Sequence, residues 1–140
     1  MKKFPLLLLT LLTIITTNSF TLIAQKAPAP QFIINSRGWL FNKAGDQIGY
    51  IDKNDVVRDN TGKGLFSVDM NGKVTTADGR QLGTVKKNGS YCNVKGESLL
   101  NIKDAGKDQY QITDATGHPL GKAHKNYKQH AYAALLLANR

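Results

Sequence analysis

Cysteine is nearly absent from this chain. Cys92 is the only one among 140 residues, so no disulfide can form within the protein. It also lies far from the N-terminal apolar stretch, which excludes it as the lipid-bearing first residue of a lipoprotein. Glutamate is just as scarce. Glu97 stands alone, and the other acidic residues are aspartates, mostly at turn positions. That pattern argues against a paired-carboxylate acid–base site and fits turn chemistry. Asp52, Asn54 and Asp55 lack the bidentate glutamate that completes a calcium loop. The three histidines, His118, His124 and His130, are six residues apart, which suits neither a helix face nor an alternating strand pair. They are not expected to form a zinc site. Nothing resembles a nucleophile elbow, and no cofactor motif is present. Cys92 follows a core residue and is read as packing or a silent thiol. The Asn88-Gly89-Ser90 sequon carries meaning only in a eukaryotic secretory route.

Long apolar runs are confined to the ends. The chain begins MKKFPLLLLTLLTIITTNSFTLIAQ, with Lys2 and Lys3 ahead of an apolar stretch from Leu6 to Ile15. A small-residue boundary follows at Ala24. This is the order of a secretory signal peptide, cleaved between Ala24 and Gln25. The alternative, a membrane anchor, is disfavoured because seven polar residues between Thr10 and Thr21 interrupt the span. An exported chain without disulfides suggests a bacterial envelope protein, periplasmic or extracellular, with no transmembrane span after cleavage. The division expected is a signal peptide at 1–24, a proline-containing linker at 25–31, one domain at 32–128 and an apolar helix at 129–140.

Basic residues exceed acidic ones. Cleavage would leave 116 residues with a net charge of +7. That favours acidic partners, such as an anionic glycan or another envelope protein, or else serves solubility. The aromatic–basic signature of a nucleic-acid module is missing, and no nucleic-acid partner is expected.

What the chain has is a repeat. Gly45, Gly62, Gly79, Gly96 and Gly117 are spaced 17, 17, 17 and 21 residues apart. Three residues after them stand Ile48, Leu65, Leu82, Leu99 and Leu120. Six after stand Ile51, Val68, Val85, Ile102 and Ala123. Five before stand Leu40, Val57, Val74, Tyr91 and Ile112. Turn formers precede each glycine by three, as in Asp59-Asn60-Thr61-Gly62, and a second turn, as in Met70-Asn71-Gly72, closes each unit. Both read as three-residue hairpin loops ending at positive φ. On that register Val57 meets Ile51 on one side and Leu65 on the other. The columns three and six after the glycine have opposite parity, so a bulge must lie between them. Gly49, Gly83 and Gly121 sit at the expected place, although Phe66 and Leu100 replace them in two units. The extra residues of the last spacing fall in a lengthened polar turn, KDAGKDQ.

The prediction is an all-β fold: about ten short antiparallel strands in five hairpin units, closed into a ring. Ile34 lies in a half-strand that would pair with the last unit and seal it. The tail, HAYAALLLANR, is apolar on every side and too short to cross a bilayer. It is expected to be a helix plugging the ring with Leu135, Leu136 and Leu137. The alternative is an exposed helix that touches a membrane or partner.

The five-fold count, the D-x-x-G turns and the apolar tail resemble the small secreted bacterial proteins described as five-fold β-flowers. The resemblance spans about residues 32–138 and implies a fold but no activity. The units differ at one place. Trp39 and Phe41 point away from the core, with Ile33 across from Phe41 and Arg37 alongside, whereas later units carry polar or small residues there. Arg37, Trp39 and Phe41 are therefore the candidate binding face, for a sugar ring or a partner. The alternative is that the QKAPAP segment or the tail covers it. The functional expectation is a non-enzymatic binding or scaffold module. A structural subunit, or a hydrolase working at the ring opening, are the alternatives.

Overall fold

The computed structural model describes residues 30–140. The expected signal peptide, 1–24, and most of the expected linker, 25–31, lie outside the described residues. The chain forms β1 (Phe32–Ile34), β2 (Trp39–Asn42), β3 (Gln47–Ile51), β4 (Val56–Asp59), β5 (Gly64–Val68) and β6 (Lys73–Thr76). It continues with β7 (Gln81–Val85), β8 (Tyr91–Asn93), β9 (Ser98–Asp104), β10 (Gln109–Asp114) and β11 (Pro119–His124). A 3-10 segment, Lys125–His130, leads into the helix α1, Ala131–Ala138.

These strands make one closed barrel in sequence order, all β apart from the tail. Five hairpins contribute ten strands, and β1 is the eleventh. Each hairpin reverses direction, so in an eleven-strand meander the first and last strands point the same way. The seam is accordingly parallel, with Phe32, Ile33 and Ile34 paired to Gly121, Lys122 and Ala123. Ile34 seals the ring as its column position requires. Closure leaves no unpaired edge.

The turns follow from sequence. In the Asp59 turn, the Gly62 amide donates to the Asp59 carbonyl at 3.0 Å. The Asp59 Oδ1 accepts from the backbone amides of Thr61 at 2.9 Å and Lys63 at 3.0 Å. Gly62 has φ +90°, a conformation that costs a Cβ-bearing residue about 1–2 kcal/mol. Asn35, Asn42, Asp52, Asp69, Asn93 and Asp114 use their side chains in the same way. Three turns depart from the rule, one of them the lengthened turn after β9, where Asp104 accepts from the Gly106 amide. At Thr76 the hydroxyl accepts from the Arg80 amide, and in the Lys86 turn Asn88 accepts from the Ser90 amide. Asp55 takes the glycine position with φ 64°.

The register holds on one side of each unit and shifts by one on the other. Ile51 faces Val57, Val68 faces Val74 and Val85 faces Tyr91, as expected. Across the glycine turns, however, Val57 faces Phe66 rather than Leu65, and Arg58 faces Gly64. Leu65 is the extra residue. The same shift puts Val74 opposite Gly83 and Ile112 opposite Gly121. Ile48 and Leu99 are extra in the other two units. The bulge is therefore the leucine column itself, one residue earlier than the glycines suggested. A one-residue bulge lets two consecutive side chains share a face. That reconciles the parity of the leucine and valine columns.

Eight strands give a barrel whose interior side chains can just fill, so eleven leave surplus space. The tail fills part of it. His130, at one end of the helix, stands 3.2 Å from Asp55 on one rim. Asn139, at the other end, donates to Gln31 Oε1 at 3.3 Å on the opposite rim. The helix thus runs through the barrel, about 12 Å for eight residues. Its buried residues are Ala131, Ala133, Ala134 and Leu137; Leu135 and Leu136 are only half buried. The plug is thus built on small residues and Leu137, with Leu135 half buried against the same core; of the three leucines expected, Leu136 instead lines the mouth.

Candidate functional site

The predicted face is present as an assembly on the outside of the barrel. The Asn35 side chain accepts from the amides of both Arg37 and Trp39 at 2.9 Å, which fixes the turn that presents them. Trp39 keeps 38 % of its surface exposed. The Arg37 guanidinium lies 5.3 Å from the centre of its ring, within cation–π range. Phe41 is half buried beside Ile33, its cross-strand partner. The tail, running inside the barrel, does not cover this face.

Sequence reasoning missed Tyr50. It pairs directly with Trp39 across β2 and β3, and with Arg58 across β3 and β4. Tyr50 stands five residues after its glycine, where the other units have Ser67, Thr84, Asn101 and Lys122. Reading that column would have found it. Arg58 is held rigidly: its Nε donates to Asp52 Oδ2 at 2.7 Å, and another guanidinium nitrogen donates to the Gly62 carbonyl at 2.9 Å. Burial alone would raise the Asp52 carboxyl, but Arg58 and the amides of Val56 and Asn54 bring it below the ordinary carboxylate value.

A second feature lies at the barrel mouth, the ring opening that the hydrolase alternative invoked. The helix packs against β1, β2, β3, β4 and β11. Between it and the wall around β5 to β7 lies a cleft of about 530 Å³. Leu65, Phe66 and Leu82 line it from the strands, and Tyr132 and Leu136 from the helix. Those two helical residues are four apart and so share one face. Tyr132 is anchored by stacking on Tyr91 of β8, with ring centres 3.8 Å apart. Lys63, Arg80 and Arg140 stand at the cleft with one carboxylate, Asp78. The Thr76 hydroxyl and the Arg80 amide hold the Asp78 carboxyl below its ordinary value. It therefore remains ionised at neutral pH.

The remaining candidates do not converge. His118 sits on an exposed turn with Asp114 and Thr116, His124 accepts from the Asn126 amide, and His130 is buried. The Thr116 hydroxyl, then the turn amides, lower the Asp114 carboxyl to about 2. Cys92 is buried and unpaired. The Tyr91 hydroxyl has no hydrogen-bond partner, and burial pushes its ionisation up. Among the described residues, no three His, Cys, Asp or Glu side chains gather as a metal site would need. No family model matches the chain, and comparison with curated proteins and with solved structures found no match.

Proposed function

We propose that the protein is an exported component of the bacterial envelope that binds an anionic glycan through its outer aromatic face and performs no catalysis. The observation that carries this reading is the Trp39–Tyr50 pair on a rigid sheet, flanked by Arg37 and, beyond Tyr50, by Arg58, which is already paired with Asp52. Flat aromatic rings offer an apolar surface to the face of a sugar, and fixed guanidinium groups pair with carboxylate or sulfate substituents. The excess of basic residues draws such a ligand in. The charged, apolar, small-residue order of the first 24 residues, the single cysteine and the resemblance to secreted β-flower proteins support export.

Trp39 is the sole tryptophan, so it reports on its own site. Titration with oligogalacturonate should shift its fluorescence, and a neutral maltooligosaccharide should not. Trp39→Ala should abolish the binding heat measured by calorimetry while keeping the melting temperature. A fluorescence signal indifferent to both sugars would reject the glycan reading.

A further inference from the structure

The mouth cleft has a different chemistry from the outer face. Its floor is apolar and faces the barrel interior. Leu65 is a buried bulge residue of β5, and Phe66 and Leu82 are half buried on either side of it. The opposite wall is Tyr132 and Leu136, and Tyr132 is locked by its stack on Tyr91. Ligand sites of about 300–1,000 Å³ with apolar linings and a few polar groups are typical for small molecules, and this cleft of about 530 Å³ falls in that range. The charged side chains around it lean basic. Lys63, Arg80 and Arg140 line it with Asp78, which is already engaged by the Thr76 hydroxyl, and Asp59 lies near Arg140.

We infer that this cleft binds a monomeric amphiphilic anion: an aliphatic chain between α1 and the β5–β7 wall, with a carboxylate against Lys63, Arg80 and Arg140. The tail removes apolar surface from water at both walls. The head gains charge-assisted hydrogen bonds that a neutral alcohol cannot match. A sugar fits this site poorly because its hydroxyls would be stripped of water against leucine and tyrosine without partners. The cleft and the outer aromatic face therefore take different ligands, and either can fail without the other.

The test is a titration of the folded chain at neutral pH with decanoate below its micelle concentration, followed by calorimetry and by amide shifts in NMR. Decanol, decylamine and acetate serve as controls for charge, charge sign and tail. Decanoate should bind one molecule per chain and shift the amides of Leu65, Leu82 and Leu136. Decanol and acetate should each bind about tenfold more weakly or worse. Arg80→Glu, an exposed change that leaves the core intact, should weaken decanoate by about tenfold while leaving the Trp39 fluorescence response to oligogalacturonate unchanged. Leu136→Trp should fill the cleft and block binding. If that variant fails to fold, Arg80→Glu alone decides. Equal binding of decanoate, decanol and decylamine would overturn the inference, as would decanoate shifts located elsewhere. Binding to anionic vesicles without binding to monomeric decanoate would overturn it in favour of a membrane surface.

Discussion

The two halves of this barrel are built from the same repeat and share one core, yet the helix lies along one wall and leaves a cleft at the mouth beside the other. On the helix side, the position opposite the central core column is glycine where something large must pass. A Cβ on Gly49 would come 2.9 Å from Leu137 of the helix, and one on Gly121 would come 2.6 Å from the Phe32 ring. On the cleft side the equivalent position of β5 is Phe66, which lines the cleft instead of yielding to the helix. Gly83 of β7 is small as well, but there the Tyr91 ring takes the space, so Phe66 beside the cleft is what sets the open wall apart. The repeat makes the ring; its irregularities make the sites. The outer face teaches the same lesson, since one unit alone carries tryptophan, tyrosine and phenylalanine outward.

Removing the helix tests whether the barrel stands without it. Deleting residues 131–140 should cost on the order of 5 kcal/mol or more, comparable with the stability of a small domain, and should lower the melting temperature sharply. A melt unchanged by the deletion would mean the barrel does not need its plug. Adjacent leucines sharpen the contrast. Leu137→Ala, on the helix side, should cost about 2–5 kcal/mol in chemical denaturation, whereas Leu136→Ala at the open cleft should cost less than about 1.5 kcal/mol. Equal losses would erase the distinction between the halves. Gly49→Ala should cost about 1–3 kcal/mol, because a Cβ there meets the Arg58 carbonyl at 2.3 Å as well as the helix.

The rim where the helix enters gives a pH-dependent test. His130 is 2 % exposed, and burial lowers its pKa from the ordinary 6.5, a shift that Asp55 partly opposes. Its Nε2 lies within ion-pair distance of Asp55, yet neither ring nitrogen makes an aligned hydrogen bond. The unfolded chain therefore takes up a proton at higher pH than the folded one. Stability should fall as the pH drops below about 6.5 and continue falling down to the folded value. Replacing the histidine by leucine (His130→Leu) should flatten thermal melts across that window. The smallest effect should come from Trp39→Ala, within about 1 kcal/mol, since its ring is partly exposed and stacks under the Arg37 guanidinium on the outer face.

Much of the ring was legible because turn chemistry and side-chain columns are local. An Asx residue followed three places later by glycine specifies the loop, although beyond the repeat glycines the pairing slips by one residue at the bulge. The bulge was misplaced by one residue because glycine often marks a bulge, and here it marks a crowded interior position instead. Gly83 is an example, facing the Tyr91 hydroxyl. The plug was expected from its composition, but its orientation was not. A helix apolar on every side gives no face to read, so the wall it chooses depends on residues such as Gly49 and Phe66 far away in sequence. For that reason the mouth cleft had no sequence signature. Arg37, Trp39 and Phe41 were visible as a departure from the repeat, and Tyr50 was missed because its column had not been compared.

Nuclear Overhauser contacts from the Leu137 methyl groups report the asymmetric seating of the helix. Cross-peaks to the Gly49 α protons, with none to the Phe66 ring, are the predicted result. Cross-peaks from Leu137 to Phe66, or no contacts between the helix and any strand, would contradict it.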